Sequence, residues 1–231
     1  PDDPPAAGGV AGDCYNPATH APGNRYRLEY QVSGSFSGVS ITDATTGERT
    51  DFNGYSAVQT VVDTTTRYVG VPEVQTRVTH YAADVGGNLV EAYGARTEAT
   101  VMGMTTTTVV RNQPPYRMVK WTLAAGQTEI YSYEGETETT ISGAPVPIPP
   151  QTSQFSASGS WTYDGRQTVS VPAGTFEACR FTLHTDASTI TEWYAPQTGS
   201  GVMVKSVTED PDGSLTLELT LGEFNGVAIG P

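Results

Sequence analysis

The chain has no long hydrophobic run. Nothing in its 231 residues approaches the roughly 20 consecutive apolar residues that a membrane-crossing helix requires. No signal peptide with a charged, apolar and small-residue plan opens it either. The opening PDDPPAAGGVAGD has no periodicity and is rich in Pro, Gly, Ala and Asp, the composition of a tether that follows a removed leader or lipid anchor. Positive charge is also scarce. Twelve Lys plus Arg face twenty-five Asp plus Glu, a formal net charge of −13, and Lys120 and Lys205 are the only lysines. Such a balance repels phosphate backbones and anionic membrane surfaces, so nucleic acid is excluded as a partner.

The groups that carry chemistry are few. No G-x-S-x-G elbow occurs, and His20, His80 and His184 stand in no motif that prescribes a role. A solvated strand position is the expected place for His80 and His184. Neither H-E-x-x-H nor paired C-x-x-C is present, so no metal or other cofactor is expected. The acidic turn at 208–213 lacks the glutamate that a calcium loop carries at its twelfth position. Glu134, Glu136 and Glu138 share one strand face by the two-residue period, where an exposed, aggregation-resistant edge is expected. A hydrolase reading rests only on this acidic row and the unassigned histidines, and the expectation is a non-enzyme.

What is abundant is alternation. Tyr26, Leu28, Tyr30 and Val32 set against Arg27, Glu29 and Gln31 read as a half-buried antiparallel strand, as do Leu215, Leu217, Leu219 and Leu221 set against Thr216, Glu218 and Thr220. Between them strands are expected near 55–69, 74–84, 88–100, 102–111, 116–122, 127–141, 153–164, 175–185, 188–195 and 202–209. Turns are marked by Gly86-Gly87-Asn88, Asp164-Gly165-Arg166 and Asp210-Pro211-Asp212-Gly213. No window holds a helical period. The expected fold is all-β: a single large curved antiparallel meander sheet or incomplete barrel spanning 25–231, after an extended tether and lead over 1–24. The Pro-rich stretch at 142–152 cannot continue a central strand and reads as a crossing within that sheet.

Trp121, Trp161 and Trp193 each sit in an apparent strand beside a Tyr or an apolar neighbour, and Tyr131 with Tyr133 lies opposite the acidic row. These five are the candidate ligand-binding residues, with core packing as the competing role. Cys14 and Cys179 are the only cysteines, and an even count in an exported chain invites a disulfide that pins the lead across a late strand. Packing of Cys179 as a small core residue is the alternative.

The final third reads V-x-V-P-A-G-T-F-E-A-C-R-F from Val169 to Phe181, T-E-W-Y-A-P from Thr191 to Pro196 and V-M-V-K-S-V from Val202 to Val207. This tail resembles one that recurs in uncharacterised bacterial periplasmic proteins and lipoproteins, over roughly residues 155–222. Pro172 and Gly174 would turn the chain, Phe176 would enter the core, and the corner at Gln197 to Ser200 is longer than the pattern. The resemblance implies a fold similar to the lipoprotein carriers, an incomplete antiparallel barrel with an apolar concave side. It implies a periplasmic location or an anchor at the outer membrane or cell surface, and its motifs are silent about activity. The β-rich pattern, the aromatic strands and the missing catalytic groups point to an apolar small molecule, a lipid or an envelope protein as partner on the concave face of the sheet. A purely structural or adhesive surface module with a packed interior is the competing expectation.

Overall fold

The computed structural model describes residues 9–101, 103–144, 146–196 and 201–230. Strands β1 (Arg25–Gly34), β2 (Gly38–Phe52), β3 (Tyr55–Tyr68), β4 (Val74–Gly86), β5 (Leu89–Val101), β6 (Met104–Met118), β7 (Thr128–Ser142), β8 (Gln151–Val171), β9 (Gly174–His184), β10 (Thr189–Ala195), β11 (Val202–Asp210), β12 (Gly213–Phe224) and the short β13 (Val227–Ala228) pair in chain order, all antiparallel. β1 also pairs with β12, from Tyr26 opposite Phe224 to Gly34 opposite Leu215. The meander therefore closes on itself as a barrel, and closure removes the two outer edges that an incomplete barrel would leave.

Side-chain alternation assigns the two faces. Leu28 and Tyr30 point inward, so Arg27, Glu29 and Asp43 on β1 and β2 lie outside, joined at 3.1 Å. The same outer face carries Asp63 with Arg77, Arg96 with Glu98, Arg111 with Glu136 and Glu138, and Lys205 with Glu218. A lipid-spanning barrel wears an apolar band there, and this one wears ion pairs, so its wall is built for water. No helix among the described residues is long and apolar enough to cross a membrane.

Several expected elements are redrawn. A strand at 38–52 was not legible, yet β2 runs the length of the barrel. The expected strands 102–111 and 116–122 are one strand, β6, and residues Lys120–Thr122 form a 3-10 turn. Asp164-Gly165-Arg166 is no hairpin turn: β8 continues through it for 21 residues, with Gly165 at φ 103° where the β8–β9 register shifts. This bulge lets the outer part of the β8–β9 hairpin bring Val169, Phe176 and Ala178 against Val204 and Leu219 in a packed core. The proline stretch is the loop joining the neighbours β7 and β8, whose ladder resumes at Thr139 opposite Gln151. The acidic row lies on β7: Glu136 and Glu138, flanked by β6 and β8, face Arg111 and not an open edge, whereas Glu134 lies just past the last β6–β7 pair. The turn at Pro172 stands as expected, with Phe176 fully buried beyond it. The long corner at 197–200 lies outside the described residues.

The lead is folded from Gly9 onward. Ala11–Cys14 and Pro17–His20 form 3-10 turns, the second capped by the Asn16 side chain accepting from the Ala18 amide at 3.0 Å. Cys14 and Cys179 are joined as a disulfide. Around that bond Trp121, Leu123, Trp161, Tyr163 and Phe181 form a second core. The Ala11 amide donates to Leu123 at 3.0 Å, the Tyr15 hydroxyl to Asp84 at 2.9 Å, and the Thr46 hydroxyl to the Thr19 carbonyl at 2.7 Å. Residues 9–24 thus stop one end of the barrel instead of trailing from it.

Candidate functional site

The barrel is hollow. Beneath the stopper lies a cavity of about 550 Å³, which shares Thr19, His20, Tyr26, His80, Ala82 and Tyr194 with a neighbouring cavity of about 410 Å³ that reaches Trp121 and the disulfide. Its two walls differ in chemistry. Tyr26, Leu28 and Tyr30 of β1 with Val202, Met203 and Leu217 of β11 and β12 make one side apolar. Ser40, Thr42, Thr60 and Thr64 of β2 and β3 make the other hydroxyl-bearing, with His80 of β4 and His20 of the stopper between them. The larger cavity alone has the volume of a typical ligand pocket, where an apolar majority is offset by a few placed polar groups.

The lumen holds no loose charge among the described residues. Burial pushes His20 and His80 below the usual imidazole range; Asp84 partly offsets the shift at His20, and His20 adds to that at His80, so both are neutral near pH 7. Asp84 accepts from the Tyr15 hydroxyl, which burial and that carboxylate hold far above the ordinary phenol range. Lys120 is boxed by the rings of Trp161 at 4.4 Å, Tyr194 at 4.6 Å and Trp121 at 4.7 Å, and its ammonium donates to Glu192 at 3.3 Å and to the Tyr194 hydroxyl at 3.2 Å. Tyr30, fully enclosed, donates to the Met203 carbonyl at 2.8 Å.

A second opening cuts the wall itself. The β6–β7 ladder stops at Asn112 opposite Gly135, because Pro114 and Pro115 follow and have no amide to donate. Beyond that point β6 pairs only with β5 and β7 only with β8. The wedge between 114–119 and 129–134 encloses about 870 Å³. Tyr116 closes its inner side, with ring centroids 4.7 Å from Tyr133 and 5.6 Å from Tyr131. Burial pushes the Tyr116 hydroxyl up to about 12, against a hydrogen bond from Trp161 that pulls it down.

The five sequence candidates are therefore distributed over three places. Trp121 and Trp161 meet around Lys120 in the core at the lumen's inner end, and Tyr131 and Tyr133 line the wedge. Trp193 is on the outer face, donating from Nε1 to Gln167 at 3.0 Å and flanked by Arg180 and Lys205. Most of the lumen lining was missed. Tyr26 and Tyr30 were legible as one face of a half-buried strand, but Thr42, Thr60 and Thr64 were not among the candidates. His80, expected to be solvated, is exposed, but it lines the lumen and not the outer wall. His184 stands outside, bonded to Thr189 at 3.1 Å. No cluster able to hold a metal ion is found among the described residues.

A closed, hollow antiparallel barrel with a disulfide-tethered stopper is the class of protein that these features define. No family model matches the chain, and no curated protein does. Among solved structures, a Bacteroides fragilis protein inferred to be exported and described as having a YmcC-like fold is similar over 88% of this chain and 97% of that one, at 12% identity and a TM-score of 0.41.

Proposed function

We propose that the protein is a non-enzymatic binder of an amphiphile, a molecule with an apolar body and an uncharged polar head, held in the barrel lumen. The observation that carries this reading is the two-sided cavity: one wall of Tyr, Leu, Val and Met, the other of Thr, Ser and neutral His. A packed structural module would fill that space with side chains. A charged head would meet no free counter-charge among the lining residues, since Lys120 is paired with Glu192 and the carboxylate of Asp84 does not line the cavity. The disulfide suits a chain that matures in an oxidising compartment, and with the tail resemblance it supports a role in the bacterial envelope.

Native mass spectrometry after gentle purification, followed by titration with a fluorescent fatty alcohol, tests the proposal. A bound mass or saturable binding is expected, lost when Ala82→Trp fills the lumen. Absence of both a co-purified mass and probe binding overturns it.

A further inference from the structure

In a meander barrel alternate connections share an end, so the β1–β2, β3–β4, β5–β6, β7–β8, β9–β10 and β11–β12 turns form one rim, opposite the stopper. This rim is divided. Residues 30–42, 68–72, 99–110 and 139–163, which contain the first four turns, include no Asp, Glu, Lys or Arg. Each of these turns lifts an apolar side chain into the open: Phe36 at 55% exposure, Val69 at 80%, Met104 at 45% and Val146 at 70%, with Val71 and Ile148 beside them. The last two turns instead carry Asp186 and the pair Asp210 and Asp212.

The first two tips are held together. The rings of Phe36 and Tyr68 lie 5.4 Å apart, and the Val69 amide donates to the Ser37 carbonyl at 2.9 Å, so the first two turns form one unit. Arg67 and Glu73, the charges that flank the second turn, neutralise each other at 2.6 Å.

We propose that the uncharged half of this rim is a docking surface for an electroneutral lipid membrane, into which the four tips dip while the acidic half stays in water. The arrangement separates this from a folded protein partner. A protein interface buries a continuous, shape-matched patch, whereas these apolar residues stand in ones and twos on four turns, set apart by Ser, Gly, Pro and Thr, as suits a fluid medium that flows around each tip. Tyr68, behind Phe36 and Val69, has the amphipathic ring that favours the headgroup level. No cation in the four turns recognises an anionic head, and the net charge of −13 with the acidic half-rim repels an anionic surface. The belt of outer ion pairs further along the strands limits penetration to the tips. This orientation would set the end of the barrel away from the stopper against the lipid.

Flotation of the whole chain with pure phosphatidylcholine vesicles tests the proposal. The protein is expected to float with the lipid. Val69→Asp and Val146→Asp should each weaken partitioning about tenfold or more, since burying a Val side chain is worth about 1.5 kcal/mol and each 1.4 kcal/mol is tenfold. Exchanging a third of the lipid for phosphatidylglycerol should weaken it as well, and Asp186→Asn should recover part of that loss. Melting curves and far-UV spectra check folding, and Val69→Ser with Val146→Ser replaces the acidic pair if folding suffers. Failure of the wild type to float at millimolar lipid, or floating that these variants leave unchanged, overturns the proposal. The lumen-filling Ala82→Trp variant should float normally, so that failure of the amphiphile reading and failure of this one are distinguishable.

Discussion

Lys120 offers the sharpest test of how the stopper end is held together. Its side chain is 6% exposed, its counter-ion Glu192 is 19% exposed, and both meet the Tyr194 hydroxyl, which donates to Glu192 at 2.9 Å. Glu192→Gln keeps the shape and removes the carboxylate paired with the ammonium. Breaking a buried pair from one side costs about 3–5 kcal/mol, because it strands a charge. The surrounding rings return part of this, at about 0.5–2 kcal/mol for a desolvated cation on an aromatic face. About 2–3 kcal/mol of lost stability is therefore expected for Glu192→Gln. Lys120→Met leaves a carboxylate that still has a donor in Tyr194 and some water, so about 1–2 kcal/mol is expected. The double variant should be well below the sum, with a coupling of about 1.5 kcal/mol or more. Urea unfolding followed by tryptophan fluorescence reads all four corners of the cycle. Additivity within about 0.3 kcal/mol, or a Glu192→Gln cost below about 0.5 kcal/mol, would show that the pair is solvated and that the box of rings does not exclude water.

Replacing both cysteines by serine should cost up to about 5 kcal/mol in the chain-entropy model for a crosslink spanning 165 residues. The loss should show first as faster amide exchange over residues 9–24; equal exchange with and without the bond would refute the stopper's dependence on it. Because burial lowers the folded values of His20 and His80, the unfolded chain gains protons first as pH drops through about 6.5, so these two groups should leave stability untouched above pH 7 and erode it below. Melting temperatures from pH 7.5 to 5 should fall less steeply in His20→Gln/His80→Gln, and identical slopes would count against neutral lumenal imidazoles. At Gly135 a methyl group would lie 2.0 Å from the Arg111 carbonyl oxygen of β6, so Gly135→Ala should destabilise by about 3 kcal/mol or more in urea melts. A cost under about 1 kcal/mol would mean that β6 and β7 separate easily there.

Where apolar residues face a packed core, the strands were legible: the alternations of β1 and β12 reported their inner faces directly. β2 escaped because its inward residues are Ser40, Thr42, Ala44 and Thr46. A strand whose inner face borders a polar lumen has no apolar period, so its pattern is that of a loop. The same fact hid most of the site. The candidate tryptophans are large apolar residues, and two of them went where such residues usually go, into the core around the disulfide. The lumen is instead lined by short hydroxyl side chains, whose sequence signal is the threonine richness of the chain and not any motif. Gly165 carried a true signal, positive φ, which serves a bulge as well as a turn. The acidic row had no visible partner because Arg111 lies across a hairpin from Glu136 and Glu138, a contact made by register alone.

The pairing of β1 with β12 bears on how the chain reaches its native state. Tyr26 meets Phe224, and the Thr220 hydroxyl donates to the Glu29 carbonyl across 191 residues of sequence. Every other neighbour in the sheet is adjacent in the chain, so a growing chain can zip hairpin by hairpin at little entropic cost. Shutting the ring cannot begin until β12 exists. Until then the edge of β1, with Leu28 and Tyr30, is left to whatever strand it meets, including one from another molecule. Cys14 has its partner earlier, once β9 is made, so an oxidant can lock the stopper to the half-built wall before the ring shuts. Slow, late closure with the crosslink already in place is the kinetic signature this topology imposes.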